Sequence, residues 1–493
     1  MYAPTWESVR SHPLPAWFDD AKLGIFIHWG LFSVPGWAPQ VDDVQRVLRT
    51  EGPAGLFRDN PYAEWYRNSM LIEGSPTWTH HEEAWGLGFP YDGFIEPFDA
   101  GSAGCDMGAI ADVCASAGAR YVVLTTKHHE GFILWPASVP HPRKGAYHAR
   151  RDIVGDLTEA VRARGMRMGL YYSGGYDWPY NDAVMRDAAD SILAVPASPE
   201  YERYATGHIR EIVERYRPSV LWNDICWPPG GNLAELFAFY YETVPDGVIN
   251  DRWSQPEGTR GRVGDAFVRG AGGLVQLLWQ HIPEEKRGLS FPAAEHFDFR
   301  TPEYASFDTI QPGKWEATRG VGHSFGANRN ERPQDIVTAT DLVRSFCDIV
   351  SKNGNLLIGI GPDDRGAIAD EQARPLRGLG EWLVANGEAI YGTRPWEIPS
   401  TRTTEDTEVR FTRRDDTLYA ILLDLPGRRT FGLRGIDLSA VREPVLLGVD
   451  EGLPLTTGDG ASDVGAIRLT LPERVPVQPA YAIRLGPGVR VLA

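Results

Sequence analysis

Cysteine is scarce in this chain. Four residues in 493 (Cys105, Cys114, Cys226 and Cys347) lie scattered. No Cys-x-x-Cys pair occurs, so neither a zinc site nor a disulfide framework is indicated. Long apolar runs are missing too. No stretch approaches the ~18 consecutive apolar residues of a membrane-spanning helix. The first twenty residues carry Glu7, Arg10, His12 and three prolines, not the apolar core of a signal peptide, and no Asn-x-Ser/Thr acceptor follows. A cytoplasmic enzyme is the expectation. Basic side chains are outnumbered, 49 against 66 acidic, for a net charge of −17. That removes any general attraction for nucleic acid or an anionic membrane, and neither is expected as a partner. There is no Gly-x-Gly-x-x-Gly after the first apolar strand, where a dinucleotide-binding sheet would place it, no His-Glu-x-x-His, no internal repeat and no low-complexity run.

What is present is a globular composition, 42% apolar and 11% aromatic. The length suits two or three domains, one of them large enough for an α/β barrel. Up to about residue 390, short apolar runs alternate with helical patterns. The runs 23–29, 120–127, 166–172, 219–224, 248–251 and 355–360 lack polar alternation, as buried parallel strands do. The clearest helix spans about 200–217, with a stripe of Tyr201, Tyr204, Ala205, His208, Ile209, Ile212, Val213 and Tyr216 at 3,4-spacing. Another spans about 153–164 and closes at Gly165. From about Trp396 the pattern changes to short strands (418–424, 444–447, 467–471, 481–485) between Gly, Pro and Asp, as in an antiparallel sandwich. The expected division is therefore a (β/α)8-like barrel over 1–395 and a β-sandwich over 396–493. None of the twelve histidines lies beyond His323, so the last unit reads as support.

The polar residues favour a barrel over an open sheet. His28, His128, His129, Tyr172, Asp224 and Arg252 all fall at or just past the ends of different strands, where a barrel mouth collects its functional groups. Gly322-His323-Ser324-Phe325-Gly326 fits the nucleophile elbow of α/β-hydrolases, but that fold needs a histidine after the serine and none follows. In Lys127-His128-His129-Glu130, adjacent histidines on an extended segment point to opposite faces; hydroxyl recognition is favoured over a metal. Asp224 ends an apolar strand, where a carboxylate is costly to desolvate unless paired or used, and Arg252 is placed to hold it ionised. Sixteen tryptophans, many beside Gly, His or Asp, suit sugar rings, although core packing accounts for most of them.

These residues resemble the α-L-fucosidases of glycoside hydrolase family 29. The matching stretches run in order from Trp17-Phe18 and Gly24-Ile25-Phe26-Ile27-His28-Trp29-Gly30 through Glu64-Trp65-Tyr66, Lys127-His128-His129-Glu130-Gly131-Phe132, Leu170-Tyr171-Tyr172-Ser173, Leu221-Trp222-Asn223-Asp224 and Asn250-Asp251-Arg252-Trp253. They continue in Thr301-Pro302-Glu303-Tyr304, Lys314-Trp315-Glu316 and Asn353-Gly354-Asn355. The resemblance implies an irregular (β/α)8-like barrel with a C-terminal β-sandwich. It also implies an exo-acting retaining α-L-fucosidase that needs no cofactor or metal and takes a fucosylated oligosaccharide or glycoside. Asp224 matches the nucleophile and Glu303 the acid/base. His28, Glu64, Trp65, His128, His129, Tyr171, Trp222, Arg252 and Phe325 match the fucose pocket. A transfer-biased member of the family and an inactive fucose-binding protein are the alternatives. Arg252 and Glu303 stand 51 residues apart, and the intervening segment carries Gly270-Ala271-Gly272-Gly273 and the acids Glu284, Glu285 and Glu295. Glu295 is the rival acid/base, and this segment is expected to reshape or cover the aglycone side. A homo-oligomer is compatible with an enzyme of this size.

Overall fold

The computed structural model describes residues 2–42, 44–86, 88–256, 262–281, 293–449, 451–457 and 467–492. Seven parallel strands form its first sheet: β1 (Leu23–Ile27), β2 (Tyr121–Lys127), β3 (Arg167–Ser173), β4 (Val220–Asp224), β5 (Val248–Ile249), β6 (Trp315–Gly320) and β7 (Gly354–Ile360). Their order is β5-β4-β3-β2-β1-β7-β6. The gap between β5 and β6 is spanned by residues 299–303. Asn250 bridges Phe299, Arg300 bridges Trp315 and Glu303 bridges Thr318, all parallel. This short piece takes the eighth place and closes an irregular barrel around side chains that fill its interior.

The helices used below are α1 (Val44–Arg58), α2 (Met107–Ser116), α3 (Ile153–Ala163), α4 (Ala188–Leu193), α5 (Pro199–Tyr216), α6 (Leu233–Thr243), α7 (Arg262–Leu278), α8 (Ala339–Ser351) and α9 (Asp370–Asn386). Helix α5 shows the local logic. Ser198 caps it by accepting from the Tyr201 N–H, and Pro199 occupies the first turn, where no N–H is needed. Arg217 ends it in the left-handed region (φ 47°), and Pro218 prevents continuation. All eight residues of the expected stripe are buried.

Three expectations are corrected. The first strand stops at Ile27, not Trp29, which frees His28 to turn into the mouth. The fifth stops at Ile249, not Asp251, because the Asn250 side chain takes over the pairing. Its Oδ1 accepts from Asn223 N (2.9 Å) and its Nδ2 donates to Asn223 O (2.8 Å). β6 was not expected at all. Its sequence, Trp-Glu-Ala-Thr-Arg-Gly, carries two charges, yet Glu316 is fully buried and accepts from Tyr121 OH and from Trp222 Nε1 (3.3 Å).

The antiparallel sheets are built from strands between Ser400 and Val491. They enclose their own apolar core, which includes Val409, Phe411, Phe431, Leu446, Leu469 and Ile483. The opposite face, through Tyr419, Ile421, Leu447 and Ala482, joins the barrel's core. Trp382 of α9 seals the seam by donating to Ala480 O (2.8 Å). Among the described residues no helix is long and apolar enough to cross a membrane.

Helices α2 and α9 approach closely at Gly380, where a Cβ would lie 1.8 Å from Ser116 O. Backbone cannot yield as a side chain does, so Gly380→Ala should destabilise the protein by about 1–3 kcal/mol. A lower urea midpoint with an unchanged slope checks this.

Candidate active site

The C-terminal strand ends surround a cavity of about 560 Å³, lined by Asp224, Glu303, His28, Glu64, Trp65, His128, His129, Tyr171, Trp222, Arg252 and Phe325. Each residue matched to the nucleophile, the acid/base or the fucose pocket therefore reaches one space, whereas Tyr172, grouped with the mouth by its strand-end position, does not line it and has its hydroxyl 3.2 Å from His208 Nδ1. Asp224 closes β4. Its Oδ1 accepts from Arg252 Nη1 (2.9 Å) and from Ile225 N (2.8 Å), and its Oδ2 accepts from Tyr171 OH (2.8 Å). His129 Nε2 stands 3.8 Å from the same Oδ2. Arg252 also pairs with Glu303, Nη2 to Oε1 at 2.6 Å, so one guanidinium joins both carboxylates. Thr301 fixes it, accepting from Nε (3.0 Å) on its hydroxyl and from Nη2 (2.9 Å) on its carbonyl. Burial works against the Arg252 charge, but Glu303 and Asp224 more than offset it and raise its affinity for its proton. The guanidinium lies over the Trp222 ring at 4.8 Å, and Trp222 stacks on Tyr171 at 5.4 Å.

The rival Glu295 is 65% exposed and paired with Arg10 (2.7 Å); it is not among the cavity residues. Glu284 and Glu285 lie outside the described residues.

The adjacent histidines depart from expectation. β2 has ended at Lys127, so His128 and His129 lie beyond the strand. Both rings reach the cavity, with centroids 4.0 Å apart. Lys127 instead turns behind the barrel, 3.2 Å from the Asp177 carboxylate. Burial holds His28, His128 and His129 well below the usual imidazole range, helped at each by neighbouring histidine or cationic charge. They are neutral rings. Nδ1 of His28 and of His128 is buried without a protein partner.

Glu64 is held by Gly326 N (2.9 Å) and Ser324 Oγ (3.1 Å). The Gly-x-Ser-x-Gly motif thus serves as a carboxylate clamp. Burial pushes Glu64 up to about 7, against the hydrogen bonds from Gly326 and Ser324. Burial does the same to Glu130, Glu316 and Glu331, each also to about 7.

Sequence reasoning missed several lining residues: Tyr62, Tyr176 and Thr301, the α1 side chains Leu48, Leu56 and Phe57, and Ile225. Ile225 holds φ +71°, a genuine outlier for a β-branched residue. Cys226 N reaches back to Asp224 O (3.0 Å), closing a three-residue turn of the rare strained kind. That turn aims the Ile225 N–H at the Asp224 carboxylate. No sequence signal marks it, since glycine is the residue normally found at such angles.

Two carboxylates on a shared cation, a crown of neutral imidazoles and flanking aromatic walls form the layout of a glycoside hydrolase. The family model described as Alpha-L-fucosidase matches residues 1–388, and the chain belongs to that family. The α-L-fucosidase of Dictyostelium discoideum is 31% identical over 442 residues, covering 86% of this chain and 81% of the relative. The crystal structure of the Thermotoga maritima α-fucosidase in complex with a mechanism-based inhibitor is 38% identical. It covers 98% of this chain and 100% of that one, with TM-score 0.81. An α-L-fucosynthase from the same organism, named for an aspartate-to-glycine substitution and bound to a fucosyl-fucose azide, is 37% identical. It covers 98% and 99%, with TM-score 0.82.

Glu331 lies behind the pocket, accepting from His323 N (2.5 Å) and Ser324 N (3.2 Å). Its carboxyl rises from 4.5 to about 7 on folding, so the folded state binds the extra proton within that window. Its contribution to stability therefore falls as pH rises from about 4.5 to 7. Replacement by Gln removes this slope. Relative to wild type, Glu331→Gln should gain about 1–3 kcal/mol of stability between pH 5 and 8, read by urea unfolding at each pH.

Proposed function

We propose that this chain is an exo-acting, retaining α-L-fucosidase that removes terminal α-L-fucosyl residues from glycans or glycosides by double displacement. The observation that carries the reading is the pairing of Asp224 and Glu303 on Arg252 at the mouth of the barrel. In the first step an Asp224 oxygen attacks the anomeric carbon. The bond to the leaving oxygen breaks, and that oxygen takes a proton from Glu303. In the second, Glu303 takes a proton from water, the water oxygen attacks the anomeric carbon, and the Asp224 ester is released. Two inversions at one carbon give net retention.

Tyr171, Arg252 and the Ile225 N–H orient the nucleophile. The buried neutral histidines and Glu64 bind hydroxyls, and Trp65, Trp222 and Phe325 form the walls, Phe325 against the fucose methyl group. Two relatives support this reading: one is described in complex with a mechanism-based inhibitor, and the other is a fucosynthase named for an aspartate-to-glycine substitution. A catalytic unit over 1–395, a supporting β-sandwich over 396–493 and a cytoplasmic location belong to the same proposal.

Release of p-nitrophenol from the aryl α-L-fucoside tests it. Asp224→Gly should lose at least roughly a thousandfold in turnover. Glu303→Ala should regain turnover with added azide, which needs no general base. Glu295→Ala should stay near wild type, because an exposed ion pair contributes only about 0–1 kcal/mol. Azide rescue of Glu295→Ala but not Glu303→Ala would move the acid/base role. Near-normal Asp224→Gly activity would refute the nucleophile assignment.

A further inference from the structure

The cavity is larger than one six-membered sugar requires; its 560 Å³ lies in the range that accommodates a drug-sized ligand. Most of the groups that suit fucose hydroxyls sit at the strand ends, with Glu64 on a short helix beside them. Much of the remaining lining is apolar and comes from elsewhere: Leu48, Leu56 and Phe57 of α1, with Ile225 and Phe307. We propose that these residues form a leaving-group subsite for an aglycone with a flat apolar ring. The proposal rests on the fucosidase reading above and adds the chemistry of the aglycone.

The construction of α1 supports it. At about 100° per residue, Leu48 and Phe57 would lie roughly on opposite faces of a straight helix. The helix is not straight. Gly52 sits at φ +73° and Pro53 follows, and the resulting kink turns side chains from both halves towards one cavity. Pro53 has no N–H to offer the carbonyl of Arg49, four residues back. The buried Trp279, just past α7, reaches that carbonyl through Nε1 at 3.3 Å and the Leu48 carbonyl at 2.9 Å. The segment between Arg252 and Glu303 thus braces the kink. Helix α7 is itself pinned to α4, where Arg269 pairs with Asp190 (2.9 Å) and a Cβ on Gly272 would lie 2.5 Å from Ala189 Cβ. On the cavity side, Phe57 packs against Trp65 with centroids 5.8 Å apart, which joins the apolar wall to the sugar pocket.

Two substrates with activated leaving groups separate the subsite from the chemistry. p-Nitrophenyl α-L-fucoside places a ring in the subsite, and α-L-fucosyl fluoride places a single atom there. For Leu48→Asn, and for the half-buried Leu56→Asn as the variant less exposed to folding defects, the ratio of aryl to fluoride kcat/KM should fall about tenfold. Trp279→Phe, which loses only the indole N–H, should lower the same ratio about threefold. An unchanged ratio in both leucine variants, with wild type active on both substrates, would overturn the subsite and leave the fucosidase reading intact. A wild-type enzyme inert to both substrates would overturn that reading and the subsite with it.

Discussion

The Arg252 guanidinium is the interaction on which the rest of the site depends. It is one cation serving two carboxylates, Asp224 from β4 and Glu303 from the barrel's closing piece. Removing either acid would leave a partly buried charge short of a partner, which is costly. The anchors of Arg252 extend the constraint. Thr301 accepts from it twice and is itself held by Asp251, through its N–H at 3.1 Å and its hydroxyl at 2.7 Å. Residues 299–303, which close the barrel between β5 and β6, therefore also fix the cation. Barrel closure and the spacing of the two acids are one structural event.

A second constraint is the treatment of buried polar groups. Glu64, Glu130 and Glu316 are each almost wholly removed from water, yet each accepts at least two hydrogen bonds. These carboxyls fix the loops and rings around the pocket, as buried networks do when every member is satisfied. Among the described residues the buried polar atoms without a partner include Nδ1 of His28 and of His128, on rings that line the cavity.

Much of this was legible in the sequence because it rests on local rules. Apolar runs gave the parallel strands, 3,4-spacing gave α5, and polar residues at strand ends gave the mouth. What was not legible depends on tertiary partners. β6 hides behind the charges of Glu316 and Arg319, since its burial depends on Tyr121 and Trp222, distant in sequence. The closing piece has no strand pattern because it is held by isolated bridges. His128 and His129 follow the run 120–127 directly and were assigned to opposite faces on the rule for extended chain, which no longer holds once the strand has ended at Lys127. Leu48, Leu56 and Phe57 drew no assignment from the sequence, and only the Gly52–Pro53 kink turns them to one side. The strained turn at Ile225 contradicts the usual residue preference, as functional positions often do.

The central claim is that Asp224 carries the fucosyl group between two displacements. Its most direct test is proton NMR of the first fucose released from an aryl α-L-fucoside, recorded before mutarotation. The account predicts α-L-fucose as the first anomer. β-L-fucose appearing first would mean direct attack by water, and would contradict it.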